Sequence, residues 1–380
     1  MKLNQWTLGL AAVGAVSLAS AVQADEAKVS QVQTALSSTT LSGYVDVSAQ
    51  YAPGNKNAGS VVTFPSTGSG VKDGFMLDNA TISLDKPQDE SPWAAGYHVD
   101  LNAGANALNF LPGATTANVG IRQAYVVLRT PIGNGIDWKV GGIDGVTGYE
   151  VNTGYQNPNY TRSIGYSVNP ASLVGILGTY SFNKSIAVTA GVANRGGSFT
   201  SSPYSLGQSA VGLASKDYIF DLALTAPDSW GFLKGSTLNA GTFQGFDNGA
   251  VNNYSVNGTI NTPLTGLSVG LAWDAVQSLV SHENGNIFGA YIIYKANDKL
   301  SFTLRGESYD ANDALLKAGF YGGNGKGEEL TLTTEYDLWA NVTSRVEFRW
   351  DHAETGRPFT SATVPLKDSF LLALNLVYKF

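Results

Sequence analysis

Residues 370–380 read FLLALNLVYKF, and the chain ends on that aromatic side chain. Phe370, Leu372, Leu374, Leu376, Tyr378 and Phe380 share one parity; Leu371, Ala373, Asn375, Val377 and Lys379 share the other. A period of two marks a β-strand, yet the last residues of a water-soluble domain are seldom apolar and tied down. A strand that belongs to a closed wall in lipid accounts for both features. Inside a bilayer every backbone group must be paired within the protein, so a spanning sheet has to close without an edge. The last strand then pairs with the first. Tyr378 and Phe380 are expected at the membrane interface, where aromatic rings anchor a barrel.

The same period recurs upstream. In LSGYVDVSAQY (41–51) an apolar set from Leu41 to Tyr51 opposes Tyr44, Asp46, Ser48 and Gln50. In WAAGYHVDL (93–101) Trp93, Tyr97, Val99 and Leu101 oppose His98 and Asp100. In SRVEFRWD (344–351) Val346, Phe348 and Trp350 oppose Arg345, Glu347, Arg349 and Asp351. A β-sandwich also alternates, but its strands average five or six residues. Runs of nine to eleven match a tilted membrane crossing. Lipid then takes the apolar face and a watery lumen takes the polar one.

Composition agrees. Only 14% of the 380 residues are charged, against roughly 25% in soluble proteins. MKLNQWTLGLAAVGAVSLASAVQADE has a basic start, an apolar run and small residues before Asp25, the pattern of a secretory signal cleaved after Ala24. Residues 1–24 are therefore expected to be removed, 25–40 to form a periplasmic tail, and 41–380 to form the barrel. Without Lys2 the chain has 22 basic against 30 acidic residues, a net −8, which argues against nucleic acid as a partner. No later apolar stretch reaches the ~20 residues of a spanning helix.

Connections supply the strand count. Short turns such as TPIGNG (130–135), NKS (183–185) and NDK (297–299) alternate with long polar segments such as 52–72, 194–216 and 311–327. Short turns on one side and long loops on the other mark an outer-membrane barrel. Seventeen periodic segments can be counted, but a barrel with both termini on one side needs an even number. The alternation of short and long links requires residues 146–172 to be one outer loop, so TRSIGYSV within it is not a strand. The sequence thus predicts an all-β fold: a transmembrane antiparallel β-barrel of 16 strands, in the bacterial outer membrane.

The loop after the fifth strand, VTGYEVNTGYQNPNYTRSIGYSVNPAS (146–172), is long for a structureless connection and rich in rings and charge. GIRQAYVVLRTPIGNGIDWKVGG (120–142) and NPNYTRSIGYSVNPASLVG (157–175) resemble the β-barrel porins of the second, OmpL-like type. Asn157, Tyr160, Thr161, Arg162, Ser163, Tyr166, Pro170 and Gly175 fit that family's pattern; Leu173 stands where it has a histidine. The resemblance implies a porin barrel, with the barrel-assembly machinery as partner during biogenesis and a homotrimer by analogy. General porins fold this loop inward, so the expected constriction set is Tyr149, Glu150, Tyr155, Tyr160, Arg162 and Tyr166. Arg162 is expected either to place a fixed charge in the pore, opposite Glu150 or wall acids, or to pin the loop to the wall.

Parity assigns the lumen wall. Lys139, Arg305, Arg345 and Arg349 are expected to face inward with Asp46, Asp100, Asp221, Asp274, Glu307, Glu335, Glu347 and Asp351. Arg122 joins them, although alternation in its strand is broken. Such charges either set ion selectivity or stiffen the wall as ion pairs. The acidic excess predicts weak cation preference. His98, His282 and His352 belong to no local catalytic motif, no metal-ligand spacing appears, and no cofactor or enzyme activity is expected. The expected function is passive diffusion of small hydrophilic solutes and ions, in contact with outer-membrane lipids. A solute-selective channel, or a non-conducting adhesin or structural barrel, are the alternatives.

Overall fold

In the computed structural model the described residues are 38–53, 73–105, 119–194, 216–245, 251–311, 325–357, 359–361 and 364–380. The expected signal segment 1–24, most of the tail 25–40 and much of the long loops lie outside them. Strands β1 (Thr40–Tyr51), β2 (Gly74–Lys86), β3 (Ala95–Ala103), β4 (Val119–Thr130) and β5 (Ile136–Asp144) open the wall. Strands β6 (Ser172–Asn183), β7 (Ile186–Asn194), β8 (Lys216–Thr225), β9 (Thr237–Gly245) and β10 (Val251–Asn261) continue it. They are followed by β11 (Leu267–Ser278), β12 (Asn284–Lys295), β13 (Leu300–Ala311), β14 (Lys326–Trp339) and β15 (Val342–Ala353). Two short strands, β16 (Phe359–Ser361) and β17 (Val364–Leu366), make a separate hairpin before the last wall strand, β18 (Asp368–Lys379). The wall is a closed antiparallel barrel of sixteen strands.

Closure is made by β1 against β18, with Tyr44 opposite Lys379 and Tyr51 opposite Leu372. Beyond the last strand residue, Phe380 and Gly43 exchange two backbone hydrogen bonds of 2.9 Å. Gly43 is needed there, because a Cβ would lie 2.6 Å from the Phe380 ring. The TRSIGYSV segment carries no strand: residues Ile164–Val168 form a single turn of helix, α1.

Parity holds along β18. Leu372, Leu374 and Tyr378 are 44%, 54% and 48% exposed on the outer face, whereas Leu371, Ala373, Asn375 and Val377 face inward and are buried. Four register shifts interrupt the rule among the described pairings, and two of them place charges inside. Asp46 pairs with Asn79 but Val47 with Leu77, which leaves Asp78 as the extra residue; Asp100 pairs with Gln123 but Leu101 with Ile121, which leaves Arg122. A bulge turns two successive side chains toward one face. Asp78 with Asn79, and Arg122 with Gln123, are accordingly all buried inside. This is why alternation fails in the sequence around Arg122.

The interior is not uniformly polar. Ile143, Leu173, Leu177, Ala193, Ile219 and Phe243 form one buried apolar cluster on β5–β9. Leu173, at the histidine position of the family pattern, belongs to it. A second cluster joins Ile164 and Val168 of α1 to Val251, Val276, Ile287 and Tyr309 of the wall, with Phe359 of the hairpin also fully buried in it.

Candidate functional site

The segment between β5 and β6 has few side chains left to water. Thr147, Tyr149, Glu150, Asn157, Tyr160, Thr161, Arg162 and Ser163 are all buried. A chain segment placed inside a barrel must find partners for its backbone groups, and the wall supplies them in alternating sign. Glu347 on β15 accepts from the backbone N–H groups of Tyr160 (2.6 Å) and Thr161 (2.8 Å). Glu307 on β13 accepts from Ile164 (2.6 Å) and Gly165 (3.1 Å), and Glu150 within the loop accepts from Ser163 (2.8 Å). These last three N–H groups open α1 and have no partner inside the helix; carboxylates there also meet the positive end of the helix. Ser163 caps the turn by accepting from the Tyr166 N–H at 2.9 Å.

Arginines hold the carbonyls. Arg305 donates to Thr161 O (2.8 Å) and Arg349 to Arg162 O (2.6 Å). Arg345 donates to the carbonyls of Gly154 (3.1 Å), Tyr155 (2.8 Å) and Asn157 (3.1 Å). The guanidiniums are themselves neutralised: Arg305 by Glu150 (2.8 Å) and Glu329 (3.1 Å), Arg345 by Glu335 (2.6 Å), and Arg349 by Asp351 (2.7 Å). The interleaved Arg and Glu residues of β13–β15 thus form a cradle for a peptide backbone, gripping N–H groups with carboxylates and carbonyls with guanidiniums.

Other contacts cross to distant strands. The Tyr160 hydroxyl meets Gln50 (2.7 Å) and Ser48 (2.8 Å) on β1 and both oxygens of the bulged Asp78 (3.1 Å) on β2. Tyr149 stacks on Tyr291 of β12 at 4.2 Å and its hydroxyl lies 2.9 Å from that of Thr259 on β10. Gly270 on β11 makes room for that ring, since a Cβ would come within 2.2 Å of the Tyr149 hydroxyl. Asn169 donates to Asp274 of β11 at 2.7 Å, and Arg122 of β4 donates to the Thr153 hydroxyl at 2.8 Å. The loop therefore touches opposite sides of the barrel. Burial raises the pKa of each loop phenol: Tyr149, Tyr155, Tyr160 and Tyr166.

The sequence-predicted residues sort clearly. Tyr149, Glu150, Tyr160 and Arg162 are buried, and Tyr155 and Tyr166 are half-buried. Arg162 has no exposure; its guanidinium donates to Asn152 O at 2.6 Å and lies 5.1 Å from the Tyr166 ring centre, so it folds the loop onto itself. The predicted wall residues Asp46, Asp100, Arg122, Arg305, Glu307, Arg345, Glu347 and Arg349 are buried inside, while Lys139 and Glu335 keep partial exposure. Tyr378 is exposed on the outer face, with its ring stacked on Phe380 at 6.4 Å.

The family profile described as "Putative beta-barrel porin-2, OmpL-like" matches residues 38–380. The chain belongs to this porin family. Solved structures agree on the fold: the outer membrane channel DcaP of Acinetobacter baumannii (TM-score 0.59, 13% identity, 92% of this chain and 99% of that one). The Salmonella typhi OmpF complex with daunomycin gives 0.59 at 11% identity, covering 90% and 97%. An anion-selective porin from Comamonas acidovorans gives 0.57 at 12% identity, covering 90% and 99%. No curated protein sequence matches. The protein is an outer-membrane porin channel.

Three parts of the porin's site escape a reading by parity. Glu329 pairs with Arg305 and keeps step with Glu335 through Thr331 and Thr333, so it is found only by extending the alternation two residues upstream of Thr331. Asp78 needs the bulge. The wall sites that receive the loop (Ser48, Gln50, Thr259 and Tyr291) carry no local signal, because their hydrogen-bond partners in the loop lie 110 to 141 residues away.

Proposed function

We propose that the porin passes small hydrophilic solutes and ions by passive diffusion, with residues 145–171 as the inward filter that limits them. The observation that carries this reading is the cradle: Glu307 and Glu347 bind loop N–H groups, and Arg305, Arg345 and Arg349 bind loop carbonyls. A loop held at both backbone polarities keeps a fixed position in the lumen rather than collapsing at random. Arg162 acts within the filter as a brace for its fold, and Tyr155 and Tyr166 present rings to the remaining space. The acidic excess of the chain, with the water-exposed inward carboxylates of Asp85 and Asp144, supports a cation preference, because fixed charge lining a wide pore biases ion flow.

Export by a signal cleaved after Ala24, insertion by the barrel-assembly machinery, and contact with outer-membrane lipids complete the reading. A trimer form is described for OmpT of Vibrio cholerae, whose fold is similar (TM-score 0.57, 11% identity); we extend a homotrimer to this chain on that basis. The test is residues 25–380 refolded into a planar bilayer under a KCl gradient. Stable conductance steps and a cation-directed reversal potential are expected. Folded, inserted protein with no steps would refute diffusion and favour an adhesin or structural barrel. Anion-directed reversal would refute the charge argument alone.

A further inference from the structure

Charges on the porin's inner wall fall into two groups by their access to water. On β13–β15 the side chains of Arg305, Glu329 and Arg349 have no exposure, and those of Glu307 and Asp351 have 2%. On β2–β5 the Asp85 side chain is 40% exposed, Asp144 21% and His98 18%. Lys139 on β5 is half-buried, with its ammonium 5.0 Å from the Tyr125 ring centre. The cradle thus grips the loop backbone on β13–β15, whereas on β2–β5, which the loop touches at Asp78 and Arg122, some inward charges still meet water. The half-buried loop rings Tyr155 and Tyr166 lie within electrostatic reach of Arg122 on that open side.

His98 occupies a distinct position there. Its Nδ1 lies 3.0 Å from an Asp85 oxygen and its Nε2 lies 3.0 Å from an Asp100 oxygen. Both contacts are attractive only when both ring nitrogens carry protons. The ring also stacks on Tyr125 at 5.2 Å. Arg122, the neighbouring cation, is buried and turned to Asp144 at 2.7 Å, with Asp100 at 3.7 Å. His98 therefore bridges the water-exposed carboxylate of Asp85 and the buried one of Asp100.

We propose that the water-filled path descends along β2–β5, and that His98 sets its ion preference by covering the charge of Asp85 and Asp100. The inference rests on the reading of the protein as a conducting porin. Without the imidazolium, Asp85 becomes a fixed carboxylate facing the path, with the half-buried Lys139 ammonium as its remaining nearby counter-charge. One unit charge acting through water at about 4 Å is worth several-fold in local ion concentration.

His98→Gln keeps a planar hydrogen-bonding side chain and removes the positive charge. In a KCl gradient its cation-to-anion permeability ratio is expected to rise at least about threefold over wild type. The chain contains no cysteine, which permits a second test independent of that variant's folding. His98→Cys is expected to react with a charged methanethiosulfonate and change the current. Thr303→Cys, a buried inward position on β13, is expected not to react. An unchanged permeability ratio in conducting His98→Gln would overturn the proposal. So would an unreactive His98→Cys in a conducting channel, or equal reaction of Thr303→Cys. All three leave the porin reading intact; absence of any wild-type conductance removes that reading and the proposal together.

Discussion

The walls β13–β15 and β2–β5 carry similar side chains and use them differently. On β13–β15, arginines and glutamates interleave; Arg305, Glu307, Glu329, Arg345, Glu347 and Arg349 are dry, and all of these but Glu329 hold loop backbone. On β2–β5, Asp85, His98, Asp144 and Lys139 keep contact with water and mainly bind one another. Charge on an inner strand therefore does not by itself line a pore. What decides is whether a peptide segment covers it. Burying a charge is costly unless it is paired and hydrogen-bonded, and the loop supplies part of that pairing on the first wall.

Alkali is expected to give the largest effect, and on the loop side. The phenols of Tyr149, Tyr155, Tyr160 and Tyr166 have folded pKa values above the ordinary value near 10. Their contribution is fully present below about pH 10 and declines above it, by up to about 1.4 kcal/mol per pH unit for each phenol. Ultraviolet titration is expected to show these rings ionising only as the loop is released, with a coincident jump in single-channel conductance. Ionisation near pH 10 with unchanged conductance would contradict the packing.

Arg305→Ala comes next. It strips the counter-charge from Glu150 and Glu329 and the donor from Thr161 O. Removing one partner of a buried ion pair costs about 3–5 kcal/mol. Denaturant midpoints should fall, and conductance should become larger and noisier. Phe359→Ala empties the apolar cluster that packs the hairpin onto Ile164 and Val168. Phe→Ala in a core costs about 3–5 kcal/mol, less here because a surface hairpin relaxes; the expected sign is faster protease cleavage near residue 359 with the wall intact.

Tyr160→Phe removes one hydroxyl from Ser48, Gln50 and Asp78 and is expected to cost about 1–2 kcal/mol. Asp85→Asn, on the wetter wall, is the smallest in stability, below about 1 kcal/mol, yet it should reduce cation preference in reversal potentials. If Asp85→Asn destabilised the barrel as much as Arg305→Ala, the contrast between the walls would fail.

Much of this is legible in the sequence alone. Strand rhythm along β18, β15 and β1, and the alternation of short and long links, led to sixteen strands and excluded TRSIGYSV from the wall. Parity placed Arg305, Glu307, Arg345, Glu347 and Arg349 inside. It could not say what they face, because Glu347 meets Tyr160 across 187 positions of sequence. Nor could parity reveal a bulge, which appears only as a register step between strands, as at Asp78 and Arg122. The dry side of β5–β9 was also hidden: Leu177 and Ile219 face inward there although apolar residues in such strands suggest lipid. For Arg162 the sequence leaves a pore charge and a pin from loop to wall as alternatives, because an exposed and a buried arginine read the same in one dimension.

The central claim is that the loop lies locked inside the lumen by the β13–β15 cradle. Hydrogen–deuterium exchange on the refolded, membrane-inserted porin tests it most directly, at the amides of Tyr160, Thr161, Ser163, Ile164 and Gly165. Protection comparable to that of the wall strands is the predicted result. Exchange of those five amides as fast as that of water-exposed backbone would contradict it.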